Sequence, residues 1–514
     1  MGGSMYCRLE QTSNKQIQTA LIVMILSLGM CVSGYSGADP GEKNALDTMK
    51  KATAFMMDEV SNRGGFLHFY ADDFSGQWGE VAARKSMIWV QDPGTVGVGM
   101  MLLDAFELTG DTVYLEYACK TANALVWGQH PAGGWHYFID FDMTGIRQWY
   151  DDVLSKYWGY EEFYHYYGNC TFDDNVTEGA TRFLLRLYLI TLDPVYRKPL
   201  LKALDFILVS QYPNGGWPQR YPLRYDFAHD GKADYTSFHT YNDNVIQGNI
   251  RLLLEAWEKL GDVKYKEAAY RGMDFVVLSQ MAPPQAGWGQ QYDMDMKPAH
   301  ARSYEPASIM PHQTVRCIRD LESFYMMTGN RKFLGGIPDA IEWLENSYIP
   351  EEHKQYKNIT HATFYEVGTD RPLYVHREGN SIENGRYWID YNPKNPIDHY
   401  GQQTRVDVEA AKREYERVNA LSPAEAMAEY NRKHSRLRPV PKIDPSEAEN
   451  LIESLDTRGA WVEDIGEHWD VRYYYNLFYG KPEVHLDGIV TGTYIHNMET
   501  LMTYVKNLRG ITDE

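Results

Sequence analysis

The feature that most constrains this chain is a repeat. A glycine followed by an aromatic residue recurs at Phe66, Trp135, Trp217 and Trp288, with gaps of 69, 82 and 71 residues. Amphipathic phrases follow these residues in pairs, and each first phrase stops at a turn such as TGD, LDP or LGD. Helix pairs separated by long loops predict an all-α fold, an α/α toroid or incomplete (α/α)-barrel of helical hairpins whose long loops form a central cleft.

The repeat also predicts the domain organisation. With 514 residues, 44% of them hydrophobic, the chain can bury one large core. We expect residues 44–514 to form a single toroid domain. Within it, residues from about 380 to 440 depart from the rhythm and predict an irregular insertion, after which the helical pattern returns.

The N-terminal residues have the layout of a targeting segment. Residues 1–37 contain Arg8 and Lys15, then an apolar run and small residues, which predicts a signal peptide, with Met5 as an alternative start. The protein is therefore expected to be secreted or periplasmic. The motif LGMC ending at Cys31 resembles a bacterial lipoprotein signal, so a surface lipoprotein is the alternative.

Composition and charge exclude several functions. The formal net charge is −20, from 50 Lys and Arg against 70 Asp and Glu, so nucleic acid and anionic membranes are not expected as partners. An acidic polymer would need a local basic patch or a bridging cation. Five scattered cysteines without a CxxC pair indicate neither a disulfide framework nor a zinc site. No stable protein partner is implied.

One phrase occurs twice. DNVTEGATRFLLRLY begins at Asp174, and DNVIQGNIRLLLEAW begins at Asp243, 69 positions later. Because the two phrases occupy the same position in successive repeats, a toroid would bring both carboxylates to one face near the central cleft. The alternative is that each aspartate only caps the N-terminus of a helix, a position that Asp favours.

The loop between these phrases carries a resemblance to a known family. QYPNGGWPQRYP followed by TYNDN is similar to the signature of the pectate lyases of polysaccharide lyase family 10. CTFDDNVTEGATRFLLRLY, ARSYEPAS, FYEVGTDRP and HREG also occur in the family's order, so the resemblance covers roughly residues 120–380. It implies a calcium-dependent lyase that cleaves polygalacturonate, or a related acidic polysaccharide, by β-elimination to 4,5-unsaturated oligogalacturonides.

The implied reaction explains why a cation is expected. β-Elimination removes the C5 proton next to a carboxylate, and the dianionic enolate-like intermediate needs positive charge close by. Calcium is a hard cation that takes carboxylate oxygens from protein and substrate together. The resemblance places Ca²⁺ on Asp174 and Asp243, with Asn242 and Asn244 as further ligands and Asn175 as a substrate-binding neighbour.

The resemblance also assigns two arginines. Arg302, in ARSYEP, matches the family's base, and Arg377, in HREG, matches a residue that would hold a galacturonate carboxylate by a two-pronged hydrogen bond. A free guanidinium has a pKa above about 12, so a base at this position needs cations nearby. The alternatives are an Arg302–Glu305 ion pair without proton abstraction and a surface salt bridge for Arg377. The remaining predicted substrate-binding residues are Trp217, Arg371 and Tyr304.

Two positions depart from the family pattern. Asn244 stands where the family usually has a second Asp, which removes one anionic ligand. Thr363, in HATFYE, stands where the family usually has a basic residue, although His361 or Arg371 could compensate. These departures put the strength of substrate binding in doubt.

Other functions therefore stay open. Asp293 and Asp295, in QQYDMDM, could form the acid pair of a uronic-acid-specific glycoside hydrolase. Thr363 and Asn244 favour instead a noncatalytic pectin-binding relative. The alternative for each glycine–aromatic element, Trp217 included, is a core or loop anchor. The sequence leaves endo or exo action, oligomer length, methyl-ester preference and oligomeric state open.

Overall fold

The structure is a computed structural model, which describes residues 39–157, 168–225, 231–379 and 385–513. The predicted signal peptide and Cys31 lie outside the described residues, and so do parts of the predicted insertion.

The described chain is mainly helical. Its helices are α1 Pro40–Phe55, α2 Thr95–Thr109, α3 Thr112–Gly128, α4 Ile146–Asp152, α5 Val176–Thr191, α6 Pro194–Ser210, α7 Val245–Leu260, α8 Val263–Leu278, α9 Pro311–Thr328, α10 Ile337–Asn346, α11 Val408–Ala420, α12 Pro423–Ser435, α13 Pro445–Ser454, α14 Trp469–Tyr479 and α15 Thr491–Leu508. One-turn 3₁₀ helices at Asp173–Asn175 and Asn242–Asn244 directly precede α5 and α7.

The strands are short and lie in the loops. They are β1 Phe69–Ala71, β2 Gln77–Trp78, β3 Met87–Trp89, β4 Phe138–Asp140, β5 Cys170–Thr171, β6 Arg220–Tyr221, β7 His239–Thr240, β8 Gln291–Tyr292, β9 Ser308–Ile309, β10 His361–Ala362, β11 Phe364–Glu366, β12 Pro372–Glu378, β13 Arg386–Asp390, β14 Gln403–Thr404, β15 Glu463–Asp464 and β16 Asp487–Val490.

Helical hairpins follow one another around the molecule. The pairs α2–α3, α5–α6 and α7–α8 each pack closely, and neighbouring pairs meet through α2–α5, α5–α7 and α8–α9. The C-terminal helix α15 packs on α1 and α2, so the two ends of the described chain lie side by side. One continuous apolar core runs from Ala45 to Val505. The predicted all-α toroid of helical hairpins is confirmed.

The predicted helix stops have a common geometry. The first helix of each of four pairs ends at a residue in the left-handed conformation, and these residues are Gly110, Leu192, Gly261 and Gly329. The next helix starts from a side-chain cap, in which Asp111, Asp193 and Asp262 each accept a hydrogen bond from a backbone N–H two residues later. The repeated turn motifs therefore join the helices of each hairpin.

The glycine–aromatic elements are core anchors. Trp135, Trp217 and Trp288 are fully buried, and each indole N–H donates to a carbonyl near the end of the preceding helix. Gly215, before Trp217, has φ +100°, and a Cβ there would lie 2.0 Å from the Arg271 carbonyl oxygen. The repeat thus ties each loop to the helix pair that it leaves.

Pairs of short strands join successive loops. Strand β3 pairs with β4, β5 with β6 and β7 with β8, all antiparallel. A larger sheet in the order β13-β12-β11-β9 carries Arg371 just before β12 and Arg377 near its end. In the part of the chain that the structure describes, no helix is long and apolar enough to cross a membrane.

Candidate active site

The two repeated phrases adopt the same unusual backbone conformation. Asp174 and Asp243 both have φ +48°, and the residues that follow them, Asn175 and Asn244, have φ +58° and +66°. Asn175 and Asn244 occupy the N-cap positions of α5 and α7, and neither side chain makes a capping hydrogen bond. Because neither aspartate lies at a cap, helix capping does not account for the two phrases. Left-handed conformations of non-glycine residues are strained and cluster at functional sites.

The loop strands hold these turns side by side. The Phe172 N–H donates to the Gln219 carbonyl over 2.9 Å, and the Tyr241 N–H donates to the Gln290 carbonyl over 2.8 Å. Each acidic turn is therefore fixed by the loop of the next repeat. The two 3₁₀ turns also contact each other directly, which is the juxtaposition predicted from the spacing of the repeats.

Three carboxylates converge at this junction. Oxygens of Asp173, Asp174 and Asp243 lie within 4.8 Å of one another, and this set is called the acidic cluster below. Asp173 is fully buried, and its Oδ1 has no hydrogen-bond partner among the described residues. Asp173 was not among the predicted site residues. The signal that could have found it is the doubled acid in TFDDN, where the second phrase has Asn242.

The acidic cluster perturbs its own protonation. Burial, followed by the negative charges of Asp173 and Asp174, raises the pKa of Asp243 well above its usual value. Burial also opposes ionisation of Asp173, but Arg302 and a hydrogen bond from Tyr137 outweigh it and lower the pKa of Asp173. Without a cation, a proton on Asp243 therefore relieves the repulsion between the carboxylates.

Arg302 lies against the acidic cluster. Its Nη2 donates to Oδ2 of Asp173 over 2.7 Å, and its Nη1 lies 3.4 Å from Oε1 of Glu305. The Tyr400 hydroxyl accepts a second hydrogen bond from Nη1 over 3.1 Å. The guanidinium side chain is almost completely buried. The Arg302–Glu305 ion pair that the sequence left open is thus present, although Asp173 is the closer partner.

Arg377 lies near the end of strand β12. It pairs with Tyr387 across strands β12 and β13. Burial, together with the nearby charges of Arg302 and Arg377, lowers the pKa of the His399 imidazole to about 4. Burial lowers the pKa of Arg377 itself.

Two predicted substrate-binding aromatic residues are buried instead. Trp217 has no exposed surface and donates to the Ile207 carbonyl, so we assign it to the core rather than to substrate. Tyr304 is 2% exposed and packs against His399 and Tyr387. Because the ring is buried in these contacts, neither of its faces is open to a sugar.

The asparagines of the phrases differ in their contacts. Arg316 donates a hydrogen bond to Oδ1 of Asn244. The amide of Asn242 donates to Oδ2 of Asp243 over 2.6 Å. Oδ1 of Asn175 lies close to Gly248 of α7, since a Cβ built on this glycine would be 3.3 Å from it. Of the predicted metal ligands, the structure brings together the two aspartates, and Asn242 contacts Asp243 through its amide nitrogen.

The basic residues that could compensate for Thr363 are Arg371 and His361. Arg371 is exposed, and its guanidinium lies 3.3 Å from the ring centre of Tyr391. Arg371 and Arg377 are six residues apart along an extended strand, which separates them by about 20 Å. Thr363 and His361 are buried, and the His361 Nε2 lies 2.9 Å from the Leu344 carbonyl. Of the two basic residues that could compensate for Thr363, His361 is therefore enclosed, whereas Arg371 lies on the surface.

The acid pair expected for a hydrolase serves a turn. Oδ1 of Asp293 accepts hydrogen bonds from the backbone N–H groups of Asp295 and Lys297, over 2.9 and 3.0 Å. Such bonds are the usual means by which Asp shapes a loop. The local geometry therefore explains this pair without a catalytic role.

Comparison with known families gives one sequence match. Residues 162–390 match the family described as pectic acid lyase. This range contains the acidic cluster, Arg302 and Arg377. It confirms the resemblance seen in the sequence and the prediction that the chain is an enzyme of the pectate lyase type. None of the curated proteins matches the chain.

Solved structures give distant likenesses. A family 10 polysaccharide lyase from Cellvibrio cellulosa is 17% identical, covers 64% of this chain and 98% of its own, and gives a TM-score of 0.42. A mutant of a family 10 lyase from the same organism, in complex with trigalacturonic acid, is 16% identical, with 66% and 98% covered and a TM-score of 0.38. An α-1,6-mannanase from Salegentibacter sp. HEL1_6 is 12% identical, with 90% and 98% covered and a TM-score of 0.36. These scores are too low to decide the function of this chain.

Proposed function

We propose that this pectate lyase-type enzyme cleaves polygalacturonate by calcium-dependent β-elimination and releases 4,5-unsaturated oligogalacturonides. The observation that carries the proposal is the contact between the acidic cluster and Arg302, inside the segment that matches the pectic acid lyase family. The description of the matched family as pectic acid lyase supports an acidic polysaccharide as the substrate class.

The acidic cluster fits a hard divalent cation. Three carboxylates supply oxygen ligands within one small volume, and the buried Oδ1 of Asp173 lacks a hydrogen-bond donor among the described residues. Burial, followed by the charges of Asp173 and Asp174, raises the pKa of Asp243, and a cation on the cluster would favour its ionised form. Bound there, Ca²⁺ would neutralise the substrate carboxylate and stabilise the charge that develops when the C5 proton leaves. We name Asp173, Asp174 and Asp243 as the residues that would hold it.

Arg302 is the proposed base. Its ion pairs with Asp173 and Glu305 favour the charged guanidinium, which cannot accept a proton. Asp173 belongs to both the ion pair and the proposed cation site, so a cation on the acidic cluster competes with Arg302 for that carboxylate. Loss of this ion pair makes the neutral guanidine accessible at alkaline pH, where it can take the C5 proton.

Arg377 is the proposed clamp for a substrate carboxylate. A guanidinium presents two parallel N–H donors to a carboxylate, and such charge-assisted pairs fix orientation as well as position. Thr363 stands where the family usually has a basic residue, and its side chain is buried. We therefore expect weaker substrate binding than the family pattern implies, with Arg377 carrying a larger share.

One assay tests the reaction class. The chain is mixed with polygalacturonate in calcium, and ultraviolet absorbance is followed together with reducing ends. A lyase increases both, because each cleavage creates a conjugated double bond and a reducing end. Reducing ends without absorbance would identify a hydrolase, and neither signal would leave a binding protein. Either of these results would overturn the proposal.

Export is proposed from the sequence alone. The signal-peptide layout of residues 1–37 predicts a secreted or periplasmic enzyme, with lipidation at Cys31 as the alternative. Mass spectrometry of the mature protein from a Gram-negative host tests this, since a full-length cytoplasmic product would contradict export and a lipid-modified Cys31 would select the alternative.

A further inference from the structure

We infer that Tyr400 is a positioning residue of the active site, which holds the guanidinium of Arg302 in the orientation needed for proton abstraction. This inference rests on the proposed function. Tyr400 lies beyond the segment that matches the pectic acid lyase family, which ends at residue 390. No motif in the sequence singles it out.

Tyr400 contacts both partners of the Arg302–Glu305 ion pair. Its hydroxyl accepts a hydrogen bond from Nη1 of Arg302 over 3.1 Å and donates one to Oε1 of Glu305 over 2.8 Å. The direct distance from Nη1 to Oε1 is longer, at 3.4 Å. The hydroxyl is therefore nearer to Nη1 than the carboxylate is, and it links the two charged groups.

The contacts of Arg302 explain why such a link matters. Asp173 accepts a hydrogen bond from Nη2 at one end of the guanidinium, and contacts at more than one of its N–H donors fix the orientation of this planar group. Tyr400 supplies a contact at the other end. Glu305 is itself fixed, because it accepts hydrogen bonds from the Gln290 amide and from the backbone N–H of Arg302. Tyr400 thus transmits the position of a rigid carboxylate to the base.

The turn that presents Tyr400 is firmly held. Tyr400 has φ +58°, in the left-handed region, within the turn His399–Gln402. The Gln402 side chain accepts a hydrogen bond from the Val375 N–H and donates one to the His399 carbonyl, both over 2.9 Å. A strained residue that its surroundings hold in place is typical of a functional position.

The same turn lies over Thr363, the residue at the position where the family usually has a basic side chain. The backbone N–H of Thr363 donates to the Gln402 carbonyl over 3.0 Å, which encloses the Thr363 side chain. Tyr400 is two residues away and remains 38% exposed, with its hydroxyl end buried against Arg302. In this chain the turn therefore brings a neutral phenol to the base instead of a second cation.

Tyr400→Phe tests this assignment, because it removes the hydroxyl and keeps the ring packed against Tyr304 and His399. We expect kcat on polygalacturonate to fall about 10- to 100-fold, as for loss of a hydrogen bond to a charged group. The KM and the half-saturating calcium concentration should stay within about twofold, since neither substrate nor cation contacts are removed. The thermal unfolding midpoint is measured in parallel.

The matched control is Tyr479→Phe, which removes another partly exposed hydroxyl whose hydrogen-bond partner is the Tyr474 hydroxyl. Its kcat should equal that of the wild type. A Tyr400→Phe enzyme with unchanged kcat, or with a KM that rises more than kcat falls, would overturn the inference. A fall in kcat that Tyr479→Phe reproduces would also overturn it. A wild-type chain that forms no unsaturated product would overturn the proposed function and this inference with it.

Discussion

The proposed role of Arg302 as a base conflicts with its ion pairs. Its ion pairs with Asp173 and Glu305 stabilise a buried cation, whereas proton abstraction requires the neutral form. A buried charged group is destabilised when it loses an ion-pair partner. Binding of a metal cation to Asp173 would therefore destabilise the charged form of Arg302. In the proposed mechanism, this coupling would let Arg302 serve as the base, with the acidic cluster beside it.

The roles of the two arginines can be separated by kinetics. Arg302→Lys keeps the charge but loses the planar guanidine, so kcat should fall by about 10²–10⁴-fold, the usual contribution of a general base. Arg377→Ala should raise KM by about 10- to 100-fold with a smaller change in kcat, as for the loss of a charge-assisted hydrogen bond. Steady-state rates at saturating calcium measure both. If Arg377→Ala lost more turnover than Arg302→Lys, the two roles would have to be exchanged.

Asp243 makes the apo protein pH-sensitive. Its folded pKa is raised, so at low pH both folded and unfolded forms are protonated and no stability is lost. As pH rises above the unfolded value of about 3.9, the unfolded carboxyl ionises first, and the native state loses stability until the folded pKa is passed. Relative to Asp243→Asn, chelated wild-type protein should become less stable as pH increases. Urea unfolding of both proteins between pH 5 and 8 measures this, and a difference independent of pH would contradict it.

The sequence identified much of the site but not its contacts. Asp174 and Asp243 could be found because they repeat at one position of the unit, and Arg302 because its motif resembles a family. Asp173 was not predicted because the corresponding position before the second phrase is Asn242. Tyr400 and His399 could not be found, since they reach the site through a turn of irregular sequence. Trp217 was assigned to substrate because a glycine–tryptophan motif looks alike in a core and in a sugar site.

At the scale of elements, the hairpin turns use two kinds of glycine. Gly261 ends α7 with φ +77°, and a Cβ there would have no atom within 4 Å, whereas Gly335 has a helical φ of −63°. Gly261→Ala should therefore destabilise the protein by about 1 kcal/mol through backbone strain alone. Gly335→Ala should stabilise it by about 0.4–1 kcal/mol, because it restricts the unfolded chain. Urea unfolding measures the free energy of unfolding of both variants. If both substitutions changed it in the same direction, the left-handed cap at Gly261 would be contradicted.

The helical elements were predictable, whereas the strands were not. Amphipathic periodicity and the Gly-Asp stops locate the hairpins, since both signals are local. Apart from β12, β13 and β16, the paired strands are two or three residues long, and the pairing of β3 with β4, β5 with β6 and β7 with β8 depends on loops from different repeats. The sequence predicts an irregular insertion at about residues 380–440, but residues 408–435 within it form α11 and α12. The break falls at Ser422 and Pro423, where a capping box starts the second helix.

At the scale of the whole molecule, activity and stability should respond differently to chelation. The core extends through all the helical hairpins, whereas the proposed cation site uses three side chains at one junction. Excess chelator should abolish product formation while the unfolding temperature stays close to that of the protein without added calcium. Circular dichroism and the absorbance assay on the same sample measure this. Loss of helical signal on chelation would instead indicate a structural cation.

The central claim is that the two repeated phrases are halves of one cation site. It is tested by the calcium dependence of product formation in Asp174→Asn, Asp243→Asn and the double variant. Because both carboxylates would share one ion, each single variant should lose most of the calcium response, and the double variant should lose little more. Losses that multiply in the double variant, or either single variant with a wild-type calcium response, would contradict a shared site.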